Sequence, residues 1–305
     1  MSAPSGRVPR SILWLLVLLT LAWGFNWSVA KTVLNEVQPL HYRSWCLGIG
    51  AIGLFTIAWL GGQRLRVPRG SWGRLLLTAT FNILLWNVTA TPGIQMMASG
   101  RAVILAYTYP IWGILFSLWM LGEPLTRQKL LGLALGMAGM GLLLGSELGA
   151  VGRSPLGALL LIVSAVSWAL GVVCMKRWPV DLPTTSLTAW QMVIALGPIC
   201  LAGALFEDHS VPILQLSFWV GWGLAYSVVI SFVFCYWAWM KIATEAPVTV
   251  STIGMLMVPV VGVFSGVLVL GEPLVWSDYL ALVLVVLAVG VILRPAPNRP
   301  PVRRA

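Results

Sequence analysis

The sequence predicts an all-α polytopic membrane protein with ten transmembrane helices in two inverted five-helix repeats. Three observations support this fold class: the composition, the number of long apolar segments and an internal repeat. Of the 305 residues, 59% are apolar and only 9% are charged, and the mean hydropathy is +0.90. A soluble domain carries about 25% charged residues because its surface faces water. This composition therefore excludes an ordinary soluble protein.

Ten segments are apolar enough to cross a membrane, since a crossing takes roughly 20 mainly apolar residues. They are Ser11–Ala30, Leu40–Leu60, Leu75–Pro92, Ala98–Leu121, Leu130–Gly145, Leu156–Met175, Leu187–Phe206, Phe218–Met240, Val248–Leu270 and Leu274–Leu293. Together they use about 200 residues. The nine connections and two tails that remain leave no room for a soluble catalytic domain.

The basic residues predict how the chain crosses the membrane. With the N-terminus in the cytoplasm, 15 of the 19 lysines and arginines fall on the cytoplasmic side, and the other four are Lys31, Arg43, Arg101 and Arg153. This bias follows the positive-inside rule, so the net charge of +10 reflects topology and does not indicate a nucleic-acid partner. We expect both termini in the cytoplasm, with residues 1–10 as one tail and residues 295–305 as a basic, Pro-rich tail.

An internal repeat divides the chain into halves. A shift of 149 residues aligns the LGEPL run at 121–125 with the same run at 270–274, and Pro110 with Pro259. A shift of 145 residues aligns two further pairs, Trp23 with Trp168 and Lys31 with Lys176. The first repeat then covers residues 11–150 and the second covers residues 151–294. Because each half has five helices, an odd number, the second half inserts upside down, as in many secondary transporters.

The repeated segments resemble those of the EamA family of the drug/metabolite transporter superfamily. The similarity lies in ASGRAVILAYTYPIWGILFSLWMLGEPL of the first half, in APVTVSTIGMLMVPVVGVFSGVLVLGEPL of the second, and in the Trp-Gly of the first helix. It covers essentially the whole chain. The resemblance implies ten helices in two repeats and the export of amino acids, other metabolites or toxic compounds, without specifying the substrate.

Polar side chains inside the apolar segments predict a central cavity, since polar groups that face lipid are costly. Trp23 and Asn26 share one face of the first segment, and Asn82 and Trp86 share one face of the third. The repeat partner of Asn82 is Ser231 in the eighth segment. Interhelical hydrogen bonding explains each polar residue singly, but the pairing by the repeat favours a shared cavity.

Aromatic residues inside the segments add apolar walls to this predicted cavity, whereas tryptophans near segment ends are typical of interfacial belts. Arg101, about one turn into the fourth segment, either binds a substrate carboxylate bidentately or extends to the outer interface. The predicted substrate-binding residues are Trp23, Asn26, Asn82, Trp86, Arg101, Tyr107, Trp168, Ser231 and Tyr236.

Two prolines and two glutamates are candidates for moving parts. Pro110 and Pro259 free backbone carbonyls within the membrane, which requires protein or a cavity to satisfy them; they act either as hinges or as ordinary kinks. Glu123 and Glu272 of the LGEPL runs lie near the start of the next helix, where the helix dipole favours negative charge. Pro124 and Pro273 are expected as first helical residues. The glutamates are interpreted either as parts of structural turns or as gating residues.

The function that the sequence predicts is inner-membrane export of small, mostly neutral metabolites, above all amino acids with apolar or aromatic side chains. Export of unrelated amphipathic toxic compounds is the alternative within transport, and a non-transporting interaction or regulatory protein is the alternative outside it. No HExxH or GxSxG pattern indicates an enzyme, and the four cysteines match no metal spacing. The expected partners are a small-molecule substrate and the lipid bilayer, with no nucleic acid, cofactor or metal; the oligomeric state is not specified.

The acidic residues bear on energy coupling. All nine lie in connections or at segment ends, whereas proton-driven transporters place ionisable groups within the membrane. The sequence therefore predicts a facilitator or exchanger, with Glu123 and Glu272 as the remaining candidates for coupling.

Overall fold

The computed structural model describes residues 10–149, 154–208, 215–245 and 248–292. Its helices are α1 (Arg10–Val33), α2 (Pro39–Leu60), α3 (Trp72–Ala79), α4 (Trp86–Met96), α5 (Ser99–Ala106), α6 (Tyr109–Leu121), α7 (Arg127–Gly149), α8 (Pro155–Arg177), α9 (Thr184–Phe206), α10 (Phe218–Tyr226), α11 (Tyr236–Glu245), α12 (Val248–Leu270) and α13 (Trp276–Ile292). Two π-helical segments, Thr80–Leu85 and Ser227–Cys235, join α3 to α4 and α10 to α11. Within these residues there is no strand, as predicted. The predicted C-terminal tail, and residues 1–9 of the N-terminal tail, lie outside the described residues.

Seven helical stretches in the described part of the chain are long and apolar enough to cross a membrane. They are Arg10–Val33, Pro39–Leu60, Trp72–Met96, Ser99–Leu121, Pro155–Arg177, Thr184–Phe206 and Phe218–Trp239. Met257–Leu270 and Trp276–Val291 are shorter apolar helices. The outer surface carries large apolar side chains such as Trp14, which is 68% exposed, as contact with lipid requires. The protein is therefore a multi-pass membrane protein, and the total of ten crossings stays a prediction.

Helices from the two halves of the sequence pack against each other in the centre of the bundle. α1 packs on α12, α2 on α9, and α4 on α8, while α7 and α13 pair beside this core. Small residues allow the close approaches, as is usual between membrane helices. A Cβ at Gly24 of α1, for example, would lie 2.5 Å from the Val261 side chain of α12.

The helix of the predicted fourth segment is interrupted just ahead of Pro110. α5 ends at Ala106, and α6 begins at Tyr109 with Pro110 in its first turn. Proline has no N–H to donate, so it is tolerated at this helix start. Its repeat partner Pro259 lies inside α12 instead. The two prolines thus have different local structures.

Both LGEPL runs form the same helix-ending turn. Gly122 and Gly271 have φ angles of 65° and 63°, which glycine adopts without the steric penalty of a Cβ. The N–H of Glu123 then donates to the Ser117 carbonyl at 3.2 Å, and the N–H of Glu272 to the Gly266 carbonyl at 3.2 Å. In both runs this bond returns six positions along the chain and gives a partner to a carbonyl near the helix end.

The expectation that a proline of each LGEPL run begins the next helix is wrong. α7 begins at Arg127 and α13 at Trp276, so two residues separate Pro124 from α7 and Pro273 from α13. The left-handed glycine turns the chain out of the preceding helix, and a short non-helical stretch that includes the proline follows before the next helix begins. The glutamates therefore lie in connections between helices.

Candidate functional site

A cavity of about 450 Å³ lies between the halves of the bundle. The cavity wall is formed by side chains from α1, α2, α4, α8, α9 and α11, from both π-helical segments, and from the junction of α5 and α6. Eight of the nine predicted substrate-binding residues line it: Trp23, Asn26, Asn82, Trp86, Tyr107, Trp168, Ser231 and Tyr236. Arg101, the ninth, is not among the lining residues. The structure thus brings residues from both repeats together around one space.

Two π-helical segments contribute to the cavity wall at equivalent places in the repeat. Asn82 lies in Thr80–Leu85, and its repeat partner Ser231 lies in Ser227–Cys235. π-helical turns are rare and are frequently found at functional sites. No sequence signal predicted them, because both stretches are apolar runs that fit an ordinary α-helical period.

Each π-helical segment accepts a hydrogen bond from the other half of the chain. The Ser167 hydroxyl of α8 donates to the Phe81 carbonyl at 2.7 Å. The Trp23 indole N–H of α1 donates to the Ser231 carbonyl at 3.2 Å. Backbone carbonyls within a membrane protein must find such partners inside the protein. These contacts tie the first helix of each repeat to the π-helical segment of the other.

A chain of buried hydrogen bonds orients Asn26 towards the cavity. The Tyr42 hydroxyl donates to Ser227 Oγ at 2.8 Å, and the Ser227 hydroxyl donates to Asn26 Oδ1 at 3.1 Å. With its carbonyl oxygen held in this way, the Asn26 amide group offers N–H donors to the space that it lines.

A second polar cluster surrounds Asn82. The Asn82 amide donates to Met175 Sδ at 3.3 Å, and the Gln191 amide donates to Thr78 Oγ1 at 3.1 Å. Asn82 Oδ1 is buried and has no hydrogen-bond partner among the described residues. It lies against Gly171 of α8, where a Cβ would come within 2.1 Å of it. The absence of a side chain at Gly171 is what makes room for Asn82.

Two aromatic clusters form the apolar part of the cavity wall, and each contains one member of a repeat-related tryptophan pair. Trp168 packs on Trp86 with ring centroids 5.1 Å apart and on Tyr109 at 6.5 Å. Trp23 makes an edge contact with Tyr236 at 5.6 Å. Such pairs stabilise by about 0.5–1.5 kcal/mol beyond simple burial. The clusters provide flat apolar surfaces near the polar groups.

Arg43 is the charged residue that the sequence analysis missed. It lines the cavity and is 5% exposed. Its Nε donates to Thr91 Oγ1 at 2.6 Å, and its guanidinium carbon lies 4.7 Å from the Tyr42 ring centre and 5.5 Å from that of Phe232. The available signal was an arginine at the fourth position of an apolar segment, but the charge count placed Arg43 on the side opposite the cytoplasm.

Arg101, by contrast, lies within an ion pair away from the cavity. It is 3% exposed, and its Nε and Nη2 donate to the Asp278 carboxylate at 2.7 and 3.2 Å. Asp278 is 1% exposed and also accepts the Val275 N–H. Arg101 therefore neither faces the cavity nor reaches the surface, because its charge is neutralised across the α5–α13 contact. Asp278, expected at the periphery, is buried although it lies in the first turn of its helix.

The ends of the cavity lie on opposite sides of the bundle. The last turn of α1, which contains Lys31, leads directly into the start of α2. Arg64, beyond the end of α2, binds the Asp181 carboxylate at 2.8 Å, and Asp181 follows α8. We call the side where α1 ends the Lys31 end and the side where α8 ends the Lys176 end.

The Lys31 end is closed, since Ala30 and Ile94, which line the cavity there, are buried. Charged groups satisfy the helix termini at this end. Lys31 Nζ donates to the carbonyls of Ile94 and Met97 at 3.0 and 2.9 Å. The Glu272 carboxylate accepts the N–H groups of Ser99 and Gly100 at 2.7 and 3.1 Å. Backbone groups at helix ends otherwise lack partners. These bonds join the ends of α1, α4, α5 and α12.

The Lys176 end is open, since exposed residues of α8 and α9, among them Val172 and Thr184, line the cavity there. Glu123 accepts hydrogen bonds from Lys129 and Lys176 at 2.9 and 3.2 Å. The Lys129 ammonium, with Lys176, lowers the pKa of Glu123 to about 2. Glu123 is thus a stable carboxylate at neutral pH. Glu123 and Lys176 are the repeat partners of Glu272 and Lys31 at the closed end.

A bundle of apolar helices in two related halves, with a cavity between them, is the architecture of a secondary transporter. The sequence comparison agrees with this class. Residues 10–145 and 155–294 each match the profile of the EamA-like transporter family. The chain belongs to this family, as the repeated motifs predicted.

Relatives of similar length are also transporters. The chain is 26% identical to "Uncharacterized transporter YoaV" of Bacillus subtilis (strain 168), over 88% of this chain and 92% of that protein. It is 24% identical to a protein of Escherichia coli (strain K12) named "Probable amino-acid metabolite efflux pump", over 89% and 91%. A solved crystal structure superposes with a TM-score of 0.67 at 21% identity, over 92% of this chain and 95% of that one, which supports the fold.

Proposed function

We propose that the protein exports small, mostly neutral metabolites across the inner membrane, above all amino acids with apolar or aromatic side chains. The observation that carries this proposal is the cavity between the halves, where the repeat-related tryptophans Trp23 and Trp168 flank the polar groups of Asn26 and Asn82. Flat apolar walls with a few placed polar groups suit a small amphipathic ligand. The name of the Escherichia coli relative is consistent with this substrate class.

The proposed topology has ten crossings, both termini in the cytoplasm and halves of opposite orientation. The distribution of basic residues supports it, since 15 of 19 then face the cytoplasm. The positions of the two lysine and glutamate pairs also support it, because repeat partners lie at opposite ends of the cavity. In this topology the Lys176 end faces the cytoplasm.

Alternating access follows from this symmetry. Glu272 binds the start of α5 at the closed end, and its repeat partner Glu123 binds lysines at the open end. We infer that the two glutamates exchange these roles when the cavity opens to the other side. The interruption between α5 and α6 ahead of Pro110 and the proline inside α12, Pro259, are the proposed hinges. The state described here is then open to the cytoplasm, ready to load a substrate for export.

The test is uptake of a panel of labelled amino acids into proteoliposomes that contain the purified protein. We expect uptake of at least one apolar or aromatic amino acid, down its gradient and saturable. Liposomes with the same lipids and no protein are the control for passive entry. Absence of uptake for the whole panel would contradict the proposed substrate class.

Export of amphipathic toxic compounds is a second candidate, because aromatic side chains form much of the cavity wall. The same liposomes loaded with a lipophilic cationic dye distinguish the two functions. Dye transport without amino-acid transport would favour this alternative. Transport of neither would favour an interaction or regulatory protein.

A further inference from the structure

Arg43 carries the one charge among the cavity-lining residues in the described part of the chain. No described aspartate or glutamate lies within ion-pair distance of its guanidinium, and its side chain is nearly inaccessible from outside the protein. A buried charge in a membrane protein is costly without a partner, and such residues mark substrate or ion sites. The position therefore calls for an anion that is not part of the fold.

Glu207, an acid in contact with the start of α2, is already engaged. Glu207 receives the N–H groups of Leu40 and His41 at 2.7 and 3.0 Å, together with a 2.7 Å contact to the His41 ring. It therefore serves to cap the start of α2. Arg101 shows how the same chain treats an arginine with a structural role: a buried, two-point ion pair with Asp278. Arg43 is about as buried as Arg101, but among the described residues it has no carboxylate partner.

The orientation of Arg43 is fixed while its terminal donors stay available. Thr91 holds Nε, and the rings of Tyr42 and Phe232 lie close to the guanidinium carbon. The Cys46 thiol, a weak acceptor, also interacts with the guanidinium, but among the described residues no oxygen accepts a hydrogen bond from the Nη groups. Two parallel N–H donors match the two oxygens of a carboxylate. Tyr42 also starts the hydrogen-bond chain that orients Asn26, so the two polar groups belong to one region of the cavity.

We propose that Arg43 binds the carboxylate of the transported molecule, so that the cavity selects an organic acid whose remaining part is apolar or aromatic. This inference rests on the proposed transport function and names the group that the cavity recognises. It also reassigns the role that the sequence suggested for Arg101. A lone arginine favours one carboxylate, whereas di- and triphosphates would need further cations.

The test is calorimetric binding to the purified protein in detergent, with two matched probe pairs. The pairs are phenylalanine with phenylalanine amide, and 3-phenylpropanoate with 3-phenylpropanamide; each pair differs in the carboxylate alone. We expect the wild type to bind each acid about 10- to 100-fold more tightly than its amide, since a charge-assisted hydrogen bond contributes that much. Equal affinity for acid and amide, or no binding of either acid, would overturn the proposal without any substitution being made.

Variants then assign the preference to a residue. R43Q should lose about 10- to 100-fold in acid affinity and retain its amide affinity, while R64Q, which removes an exposed charge, should bind as the wild type does. Acid binding by R43Q at wild-type strength would overturn the assignment. Sodium chloride is titrated as a separate probe, and displacement of the acid by chloride at equal concentration would show an inorganic-anion site instead. Binding of the acids without uptake into proteoliposomes would refute the proposed transport function but not the role of Arg43. Uptake with equal affinity for acid and amide would refute the role of Arg43 but not the transport function.

Discussion

Replacement of Gly171 by alanine tests the packing that places Asn82 in the cavity wall. The new Cβ would lie 2.1 Å from Asn82 Oδ1, 2.6 Å from Cγ and 2.9 Å from the backbone nitrogen. The side chain can rotate away, but the backbone nitrogen belongs to the π-helical segment and moves only with it. Overpacking costs about 1–3 kcal/mol, and the removal of a helical glycine returns about 0.5–1 kcal/mol. We expect a net destabilisation of about 1 kcal/mol, within a range of about 0–2.5 kcal/mol.

The assay is thermal unfolding of the purified variants in one detergent, with Tm as the readout. G141A is the matched control, because Gly141 lies inside α7 and a Cβ there meets nothing within 4 Å. It should unfold at or above the wild-type Tm, while G171A unfolds below it. Adding N82A to G171A should recover part of the loss, since the backbone contact at 2.9 Å remains. If G171A and G141A had the same Tm, the proposed packing would be refuted.

Three further predictions concern transport. W168A should lower uptake of an aromatic substrate about tenfold, since it removes the contacts with Trp86 and Tyr109. W14A, on the exposed surface, should leave uptake unchanged. Equal effects of the two substitutions would contradict a specific role of Trp168. E272Q should raise the passive leak of substrate through the protein in liposomes, because the Gln amide accepts the Ser99 N–H of α5 more weakly than the Glu272 carboxylate does. An unchanged leak rate would exclude a gating role for Glu272. Transport by E123Q should follow the wild-type pH profile from pH 5 to 8. The pKa of Glu123 is lowered to about 2, so its carboxylate loses its charge only as the pH falls towards that value. A shifted profile in E123Q would contradict this prediction.

Helical periodicity and the repeat together predicted much of the cavity. Trp23 and Asn26 share a helix face whatever the tertiary structure, and the alignment of Asn82 with Ser231 linked two distant helices before any contact was known. Polar groups that are costly in lipid have few places to lie other than the interior. Periodicity therefore predicts which face of a helix is turned inward, and the repeat predicts which helices share the interior.

The roles of the two arginines could not be predicted in this way. Arg43 and Arg101 each lie about one turn into an apolar helix, so local sequence treats them alike. What separates them is a partner 177 residues away, Asp278, which neutralises one of them. The π-helical segments escaped prediction for a related reason. Their freed carbonyls are satisfied by Ser167 and Trp23 from the other half, so tertiary contacts accompany a backbone geometry that local propensity does not favour.

The central claim, that substrate passes through the cavity between the halves, is tested most directly by chemical blockade at Ser231. S231C is placed in a variant whose four natural cysteines are replaced by serine or alanine, and counterflow of a transported amino acid is measured in proteoliposomes before and after a charged, membrane-impermeant thiol reagent. R66C, at an exposed position of the connection between α2 and α3, is the labelled control. We expect the reagent to stop counterflow in S231C, excess substrate to slow the block, and labelled R66C to be unaffected. Full counterflow in fully labelled S231C would contradict the central claim.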